Sequence, residues 1–276
     1  MAGTLFVVAT PIGNLEDITF RAVRVLREAS VVAAEDTRHT GLLLRHFGIR
    51  VPLISLHEHN EGQRAASLIG RMLQGESVAL VSDAGTPAVS DPGAKLVAAA
   101  VAAGIRVEPI PGASAVMAAL SAAGVEGDGF AFLGFPPVKS KDRKLWFVRF
   151  AQANLLGAVV FFEAPHRIIR TLEEFNSWSN DHLVVFRELT KIHESVYRGS
   201  PRQIIEQLTV VAGEFTVVAP QKIEDKSARE RPSDEEILTM FGQITDKKGR
   251  AAAKDVGEAV GLSANEVYDI VRRAKT

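Results

Sequence analysis

Cysteine is absent from all 276 residues. That removes disulfides, thiolate nucleophiles and cysteine-ligated zinc or iron–sulfur centres, and it fits a reducing compartment. An excess of one charge is lacking too: 32 Lys and Arg stand against 33 Asp and Glu, for a formal net charge of −1. No overall pull toward nucleic acid or acidic lipid follows, so any such contact has to come from local patches. Long apolar runs are missing. The opening MAGTLFVVATPIGN has an apolar run of five residues and no basic leader, which is too short for a signal peptide or a membrane span. The expectation is a soluble, cytoplasmic protein with no membrane partner.

Several nucleotide and hydrolase motifs are also missing. There is no Walker lysine motif. ATPIGN, with Pro11 and a single Gly13, stands where G-x-G-x-x-G would follow the first strand, which argues against a dinucleotide on that turn. PGASAV does not make a G-x-S-x-G nucleophile elbow.

What is present is an ordinary globular composition, 46% hydrophobic and 24% charged, over a length that favours two domains. Short apolar runs at Leu5–Ala9, Val31–Ala34, Leu53–Ser55, Val78–Val81 and Arg106–Pro109 read as strands. Helical patterns alternate with them: Asp17 or Thr19 to Ala29, Thr37–Phe47, a stretch from Asn60 to Gly75 opened by an Asn60/Gln63 capping box, and Pro92–Ala103. This alternation predicts a mostly parallel sheet covered on both sides. PIPGASAVMAALSAAG starts a helix after two prolines, and the strand pattern restarts at Phe130–Leu133, so the domain change is placed there. Strands follow at Ala158–Phe162, Leu183–Phe186 and Phe215–Ala219, with helices beginning at Pro165 and Pro201. GFPPVKSKDRK is read as an exposed basic loop, and ELTKIHESVYRGS as a polar β-ribbon. Residues 221–235 read as a linker, followed by helices over 234–244, 250–260 and 264–274. The expected parts are an α/β domain over 1–115, a second over 116–222, and a helical extension over 223–276.

Four polar clusters follow apparent strands: TPIGNLEDIT, AEDTRHT, HEHNE and SDAGTPAVSDPG. The carboxyl ends of parallel strands share one edge, where ligands bind, so Asn14, Asp17, Glu35, Asp36, Arg38, His57 and Asp83 are expected to converge. Each taken singly reads equally as a helix cap or a solvated turn. Gly85 permits a close backbone approach while Pro87 and Pro92 stiffen the turn, giving a rigid shelf for a ligand with an adenine, a ribose and a charged tail. His57 and His59 would share one face of a strand, but a third ligand is not evident, and no metal is predicted.

LFVVATPIGNLEDITFRAVRVL, AEDTRHTGLLL, VALVSDAGTPAVSDPG, PGASAVMAAL, FAFLGFPP and FFEAPHRI, in this order, resemble the tetrapyrrole methylase superfamily. More narrowly they resemble its branch acting on cytidine 2′-oxygens of small-subunit ribosomal RNA. A glycine-rich first loop, frequent in the superfamily, is replaced by TPIGN, which favours the RNA branch. The resemblance implies two α/β domains with S-adenosylmethionine in the cleft between them, and a homodimer. It implies that Pro11 and Ile12 line the cofactor's first loop, and that Asp83, Ala84, Gly85, Thr86 and Val89 hold the methionine portion with Ser114 and Ala115 nearby. Phe162, Leu189 and Ala219 would reach across from the second domain.

The implied reaction moves a methyl group to a ribose 2′-oxygen, in the decoding region of the assembled small subunit. Asp17, Glu35, Asp36 or His57 would take the hydroxyl proton, and Arg38 would clamp a phosphate or carboxylate or pair with a neighbouring acid. Asn14 and His57, Glu163, His166 and Arg167 of FEAPHR, and Lys191 of ELTKIHE are expected on the substrate side. Lys139 and Lys144 fit contact with the RNA backbone. Residues 246–276 carry seven Lys and Arg against five Asp and Glu, and two of their helices resemble a helix-turn-helix, suited to RNA docking or to packing. Two other readings stay open at this point: the same fold acting on a tetrapyrrole or a protein side chain, and a non-catalytic RNA-binding protein.

Overall fold

Val31–Ala34 and Val78–Val81 are apolar at every position and buried at every position. Strands of that kind belong in the middle of a sheet with both faces covered. A computed structural model describes residues 2–127, 129–178, 182–222, 233–244, 249–260 and 262–274, and it places them so. β1 (Thr4–Val8), β2 (Val31–Ala34), β3 (Leu53–Ser55), β4 (Val78–Val81) and β5 (Arg106–Ile110) form a sheet in the order β3-β2-β4-β1-β5. All of its pairings are parallel.

The period-2 alternation of each strand decides which helices cover which face. Leu5, Val31, Ala33, Val78 and Leu80 pack against Ala65, Leu68 and Met72 of α3 (Glu61–Leu73) and Leu96 and Ala100 of α4 (Ala94–Ala102). Val8, Val32, Ala34, Ala79 and Val81 pack against Ala22, Val25 and Leu26 of α1 (Phe20–Glu28) and Leu44 of α2 (Thr37–His46).

Two local expectations change. Asn60 does not cap α3: its backbone is already helical, at φ −114° and ψ −4°, whereas a capping residue needs extended dihedrals. Its amide instead accepts from the His57 N–H at 2.9 Å and donates to the Ser55 carbonyl at 3.3 Å. Pro92 and Gly93 precede α4 rather than open it, with Gly93 at φ +120°. The cap of α4 comes from another helix. Buried Glu61 accepts from the Gly93 N–H at 3.0 Å and the Lys95 N–H at 2.8 Å, placing a negative charge on the positive end of α4. Glu61→Ala leaves those donors unpaired, so the unfolding free energy should fall by about 2 kcal/mol. Urea denaturation at neutral pH checks this, and an unchanged midpoint would refute it.

The chain reaches its second sheet through α5 (Ala115–Ala123), which starts just past β5 and packs on that sheet through Val116, Ala119 and Ala123. β6 (Phe130–Phe132), β7 (Ala158–Glu163), β8 (Leu183–Arg187), β9 (Ser195–Gly199) and β10 (Phe215–Ala219) lie in the order β6-β7-β10-β8-β9. Only β6 and β7 run parallel; the other pairs are antiparallel. Val160, Val184, Phe186 and Val218 face α5. The opposite face carries an aromatic core against α6 (Ser140–Leu156), α7 (Pro165–Trp178) and α8 (Pro201–Gln207), including Trp146, Phe147, Phe150, Phe161 and Phe175. The basic GFPPVKSKDRK stretch is only half loop. Helix begins at Ser140, and Arg143 is buried rather than exposed.

Both sheets belong to one compact unit, residues 1–222, and residues 223–276 form another. In the latter, α9 (Asp234–Gln243), α10 (Arg250–Val260) and α11 (Ala264–Arg273) share a core of Ile237, Ala253, Val256, Val267 and Ile270. Ser233/Glu236 and Ser263/Glu266 make capping boxes. Most of the expected linker over 221–235 (residues 223–232), and Gly261 of the α10–α11 turn, lie outside the described residues. Among the described residues no helix is long and apolar enough to cross a membrane.

Candidate functional site

The loops that leave β1, β2, β4 and β5 emerge on the same edge of the parallel sheet. Two of them are tied together: Thr10 and Gly85 exchange backbone hydrogen bonds of 2.9 and 3.0 Å. Gly85 sits at φ +80°, and a Cβ there would lie 3.3 Å from Ile12 Cγ2, so glycine is what lets the two loops meet. Backbone strain gathers in the same region. Ala88, Ser90, Glu188 and Thr190 have φ between 56° and 66°, and among the described residues they are the non-glycine positions in the left-handed region. They occupy two loops, one after β4 and one after β8. The second presses on the first sheet's TPIGN loop, where a Cβ on Gly13 would lie 2.9 Å from the Leu189 carbonyl oxygen. Strain of this kind persists where surrounding contacts over-determine it, which is typical of ligand sites.

Between the loops lies a cavity of about 360 Å³, within the range of small-molecule sites. The first sheet contributes Ile12, Ala84–Thr86 and Val89–Asp91. The start of α5 adds Ser114–Val116, and the second sheet adds Phe135, Phe162–Pro165 and Gly213–Thr216. The lining is mainly apolar with a few polar groups. Ser114 caps α5, accepting from the Met117 N–H, so the positive end of that helix faces the cavity. Thr86 donates to the Ala113 carbonyl at 3.3 Å.

Acidic groups cluster at the ends of β2 and β4. Burial pushes the half-buried Glu35 carboxyl above the usual range, and the charges of Asp83 and Asp91 push it further. Burial raises Asp91 as well, with Asp83 adding to it. Asp36 differs: the Arg38 side chain and backbone N–H hold it well below the ordinary range. Its carboxylate receives Arg38 Nε at 3.1 Å and an Arg38 guanidinium nitrogen at 2.7 Å. The Asp36 N–H in turn donates to Asp83 at 3.0 Å.

Of the residues expected around a cofactor, Ile12, Ala84, Gly85, Thr86, Val89, Ser114, Ala115 and Phe162 line the cavity. Pro11 and Asp83 sit next to lining residues without lining it themselves. Leu189 packs against the α5 cluster. Ala219 lies in the aromatic core on the far face of the second sheet with Val217, at the end of β10 away from the cavity, which that strand meets only through Phe215 and Thr216. Asn14 caps a turn by accepting from the Glu16 N–H at 3.1 Å, and Asp17 is exposed in that turn. His57 is held by the Asn60 amide at 3.1 Å. Among the described residues no His, Asp and Glu group could hold a metal ion.

On the second sheet, Glu163 borders the cavity but its carboxylate is turned into a buried network. It accepts from the Ala164 N–H at 2.8 Å, Thr171 Oγ1 at 2.6 Å and the Arg167 guanidinium at 2.6 Å, with Arg143 at 3.9 Å. Arg167 and Arg143 also donate to the carbonyls of Pro136 and Pro137, so both arginines hold the GFPP loop instead of reaching out. Lys191 is committed to Glu188 and Glu214 at 2.9 and 3.1 Å. Lys139, Lys144 and His166 are exposed. Ser90, Asp91, Phe135, Glu214 and Thr216 line the cavity without having been singled out. Asp91 lay in the quoted SDPG and Phe135 in GFPP, whereas nothing in VAGEFTVV marked Glu214 or Thr216.

Against known proteins, the family described as Tetrapyrrole (Corrin/Porphyrin) Methylases matches residues 4–205. A Pseudomonas aeruginosa protein named ribosomal RNA small subunit methyltransferase I is 52% identical, over 97% of this chain and 96% of its own. A Synechocystis protein of the same name is 45% identical over 97% of each chain. Among solved structures, uroporphyrin-III C-methyltransferase from Thermus thermophilus aligns with a TM-score of 0.56 at 22% identity, over 79% of this chain and 94% of that one. A diphthine synthase aligns at 0.60 and 17%, over 80% and 92%.

Proposed function

The chain belongs to the tetrapyrrole methylase family, and from that premise we propose that it methylates small-subunit ribosomal RNA at a cytidine ribose 2′-oxygen in the decoding region, using S-adenosylmethionine. The observation that carries this reading is the mainly apolar cavity of about 360 Å³ at the strand edge, in a chain 52% identical over 97% of its length to a small-subunit rRNA methyltransferase. The residues present fit the donor. Ile12, Val116 and Phe162 offer apolar surface for an adenine, and Gly85 keeps the loop backbone close where a side chain would crowd Ile12. Thr86, Ser114 and the N-terminus of α5 offer polar partners for the amino-acid tail.

When bound, the donor supplies an electrophilic methyl on a sulfonium, so the chain's task is mainly alignment, worth up to ~7–11 kcal/mol in favourable systems. Glu35 is the proton acceptor the site favours, because its raised carboxyl is the stronger base and Arg38 already occupies Asp36. Lys139 and Lys144, exposed at the start of α6, meet RNA phosphates. The enzyme acts in the cytoplasm as a homodimer on the assembled subunit.

Labelled donor offered to small subunits, free rRNA and a porphyrinogen tests this. Label should enter an alkali-resistant dinucleotide, because 2′-O-methylation blocks the hydroxyl that alkaline cleavage needs. Label confined to the porphyrinogen would overturn the substrate, and calorimetry without a binding heat for the donor would overturn the enzyme.

A further inference from the structure

A file of basic side chains runs along the outward face of α2. The exposed residues of that helix are Arg38, His39, Leu42, Arg45 and His46, spaced i, i+1, i+4, i+7 and i+8, so they form one stripe. Thr37–His46 contains no acidic residue, and exposed Arg50 extends the file beyond the helix. Helix stability accounts for only half of this. Arg45 and His46 complement the negative end of the helix, but Arg38 and His39 occupy the first turn, where the macrodipole favours acids over cations.

Arg45 and Arg50 also border a surface hollow of about 390 Å³, beside Gly41 and Gly48, whose lining contains no acid. Among the described residues neither arginine has a recorded ion-pair partner. Arg38 differs, being held bidentately by Asp36. Because Asp36 caps α2 directly after β2, the stripe begins at the strand edge where Glu35 stands and leads away from it.

Resting on the RNA reading above, we infer that this face is the track on which the phosphate backbone of the substrate strand lies beside the target nucleotide, with Arg45 and Arg50 binding phosphates. The seven helical steps from Arg38 to Arg45 span about 10 Å, about three nucleotides of stacked strand. Guanidinium groups match phosphate oxygens bidentately. Leu42, 60% exposed, gives apolar contact to a sugar between them.

The test uses the full chain carrying Arg45→Glu and Arg50→Glu, with small subunits reconstituted on unmodified rRNA. KM for the subunits should rise about tenfold or more at physiological salt. The slope of log affinity against log salt, measured by filter binding, should fall by about 1.4–1.8, the loss of two phosphate contacts. Calorimetric donor affinity should stay at the wild-type value, and Arg202→Glu on α8 should behave as wild type in KM and slope. An unchanged KM and salt slope would overturn the track, as would a change of oligomeric state in sedimentation, which would make the face a protein contact. Wild-type enzyme that binds donor yet leaves rRNA unmethylated would instead sink the functional reading, so the two failures are distinguishable.

Discussion

Glu163→Ala should lower the unfolding free energy by about 3 kcal/mol, the largest stability loss expected from any polar side chain of the two-sheet unit. The Glu163 side chain is fully buried, and Arg143 and Arg167 are 6% and 18% exposed. Removing one partner of a buried charge set costs about 3–5 kcal/mol, because the remaining charge stays desolvated without compensation. The lower end applies because Arg143 keeps Glu174 at 2.5 Å and Thr171 at 2.7 Å. Arg167 has no such reserve: among the described residues Glu163 is its recorded carboxylate partner.

Against a total of about 5–15 kcal/mol for a native protein, that loss shows plainly in a urea titration. Donor affinity should fall with it, since the same two arginines hold the Pro136–Pro137 carbonyls, and Phe135 beside them lines the cavity and packs on Phe162 with ring centroids 5.5 Å apart. A double variant, Glu163→Leu with Arg167→Met, separates charge from shape: it should recover most of the lost stability, as apolar replacements of buried ion pairs do. A single variant losing less than 1 kcal/mol would show that the network is not balanced by Glu163.

What the sequence could reveal follows from which interactions are local. Val31–Ala34 and Val78–Val81 announce buried strands by composition alone, and Ser263/Glu266 announces a helix start by spacing alone. The polar loops after β1, β2 and β4 were legible as one edge because parallel connectivity forces their strand ends together. Contacts made across many residues left no such mark. Glu61 reads as an ordinary first-turn acid of α3, yet it caps α4 more than thirty residues on. Arg143 reads as one of four cations in a solvated stretch, and only the distant Glu163, Thr171 and Glu174 draw it inside. Ala219 stays out of the cavity for a simpler reason: the cavity meets β10 only at Phe215 and Thr216, and Ala219 stands at the other end of that strand with its side chain in the aromatic core.

The proposed proton-accepting role of Glu35 sets activity against stability, and this gives the most discriminating prediction. Glu35→Gln should lower the methyl-transfer rate by about 10²–10⁴-fold, the usual worth of a positioned proton acceptor. In the wild type the rate should rise with pH as Glu35 ionises, with an inflection above the ordinary carboxylate range, because burial and then Asp83 and Asp91 raise it; the variant should lack that limb. The stability effect has the opposite sign. A carboxyl whose folded-state pKa lies above its unfolded value favours the native state fully below the unfolded pKa, and loses that contribution as pH rises through the folded one. Wherever it is ionised, the half-buried Glu35 is therefore a burden on the fold. Glu35→Gln should melt at a higher temperature than the wild type at about pH 7.5, and the difference should vanish near the ordinary carboxylate pKa of about 4. A residue serving only the fold would lose activity and stability together, whereas strained functional groups trade one for the other. Wild-type turnover in Glu35→Gln, or a lower melting temperature at neutral pH, would move the proton acceptor elsewhere in the acidic cluster, with cavity-lining Asp91 next in line.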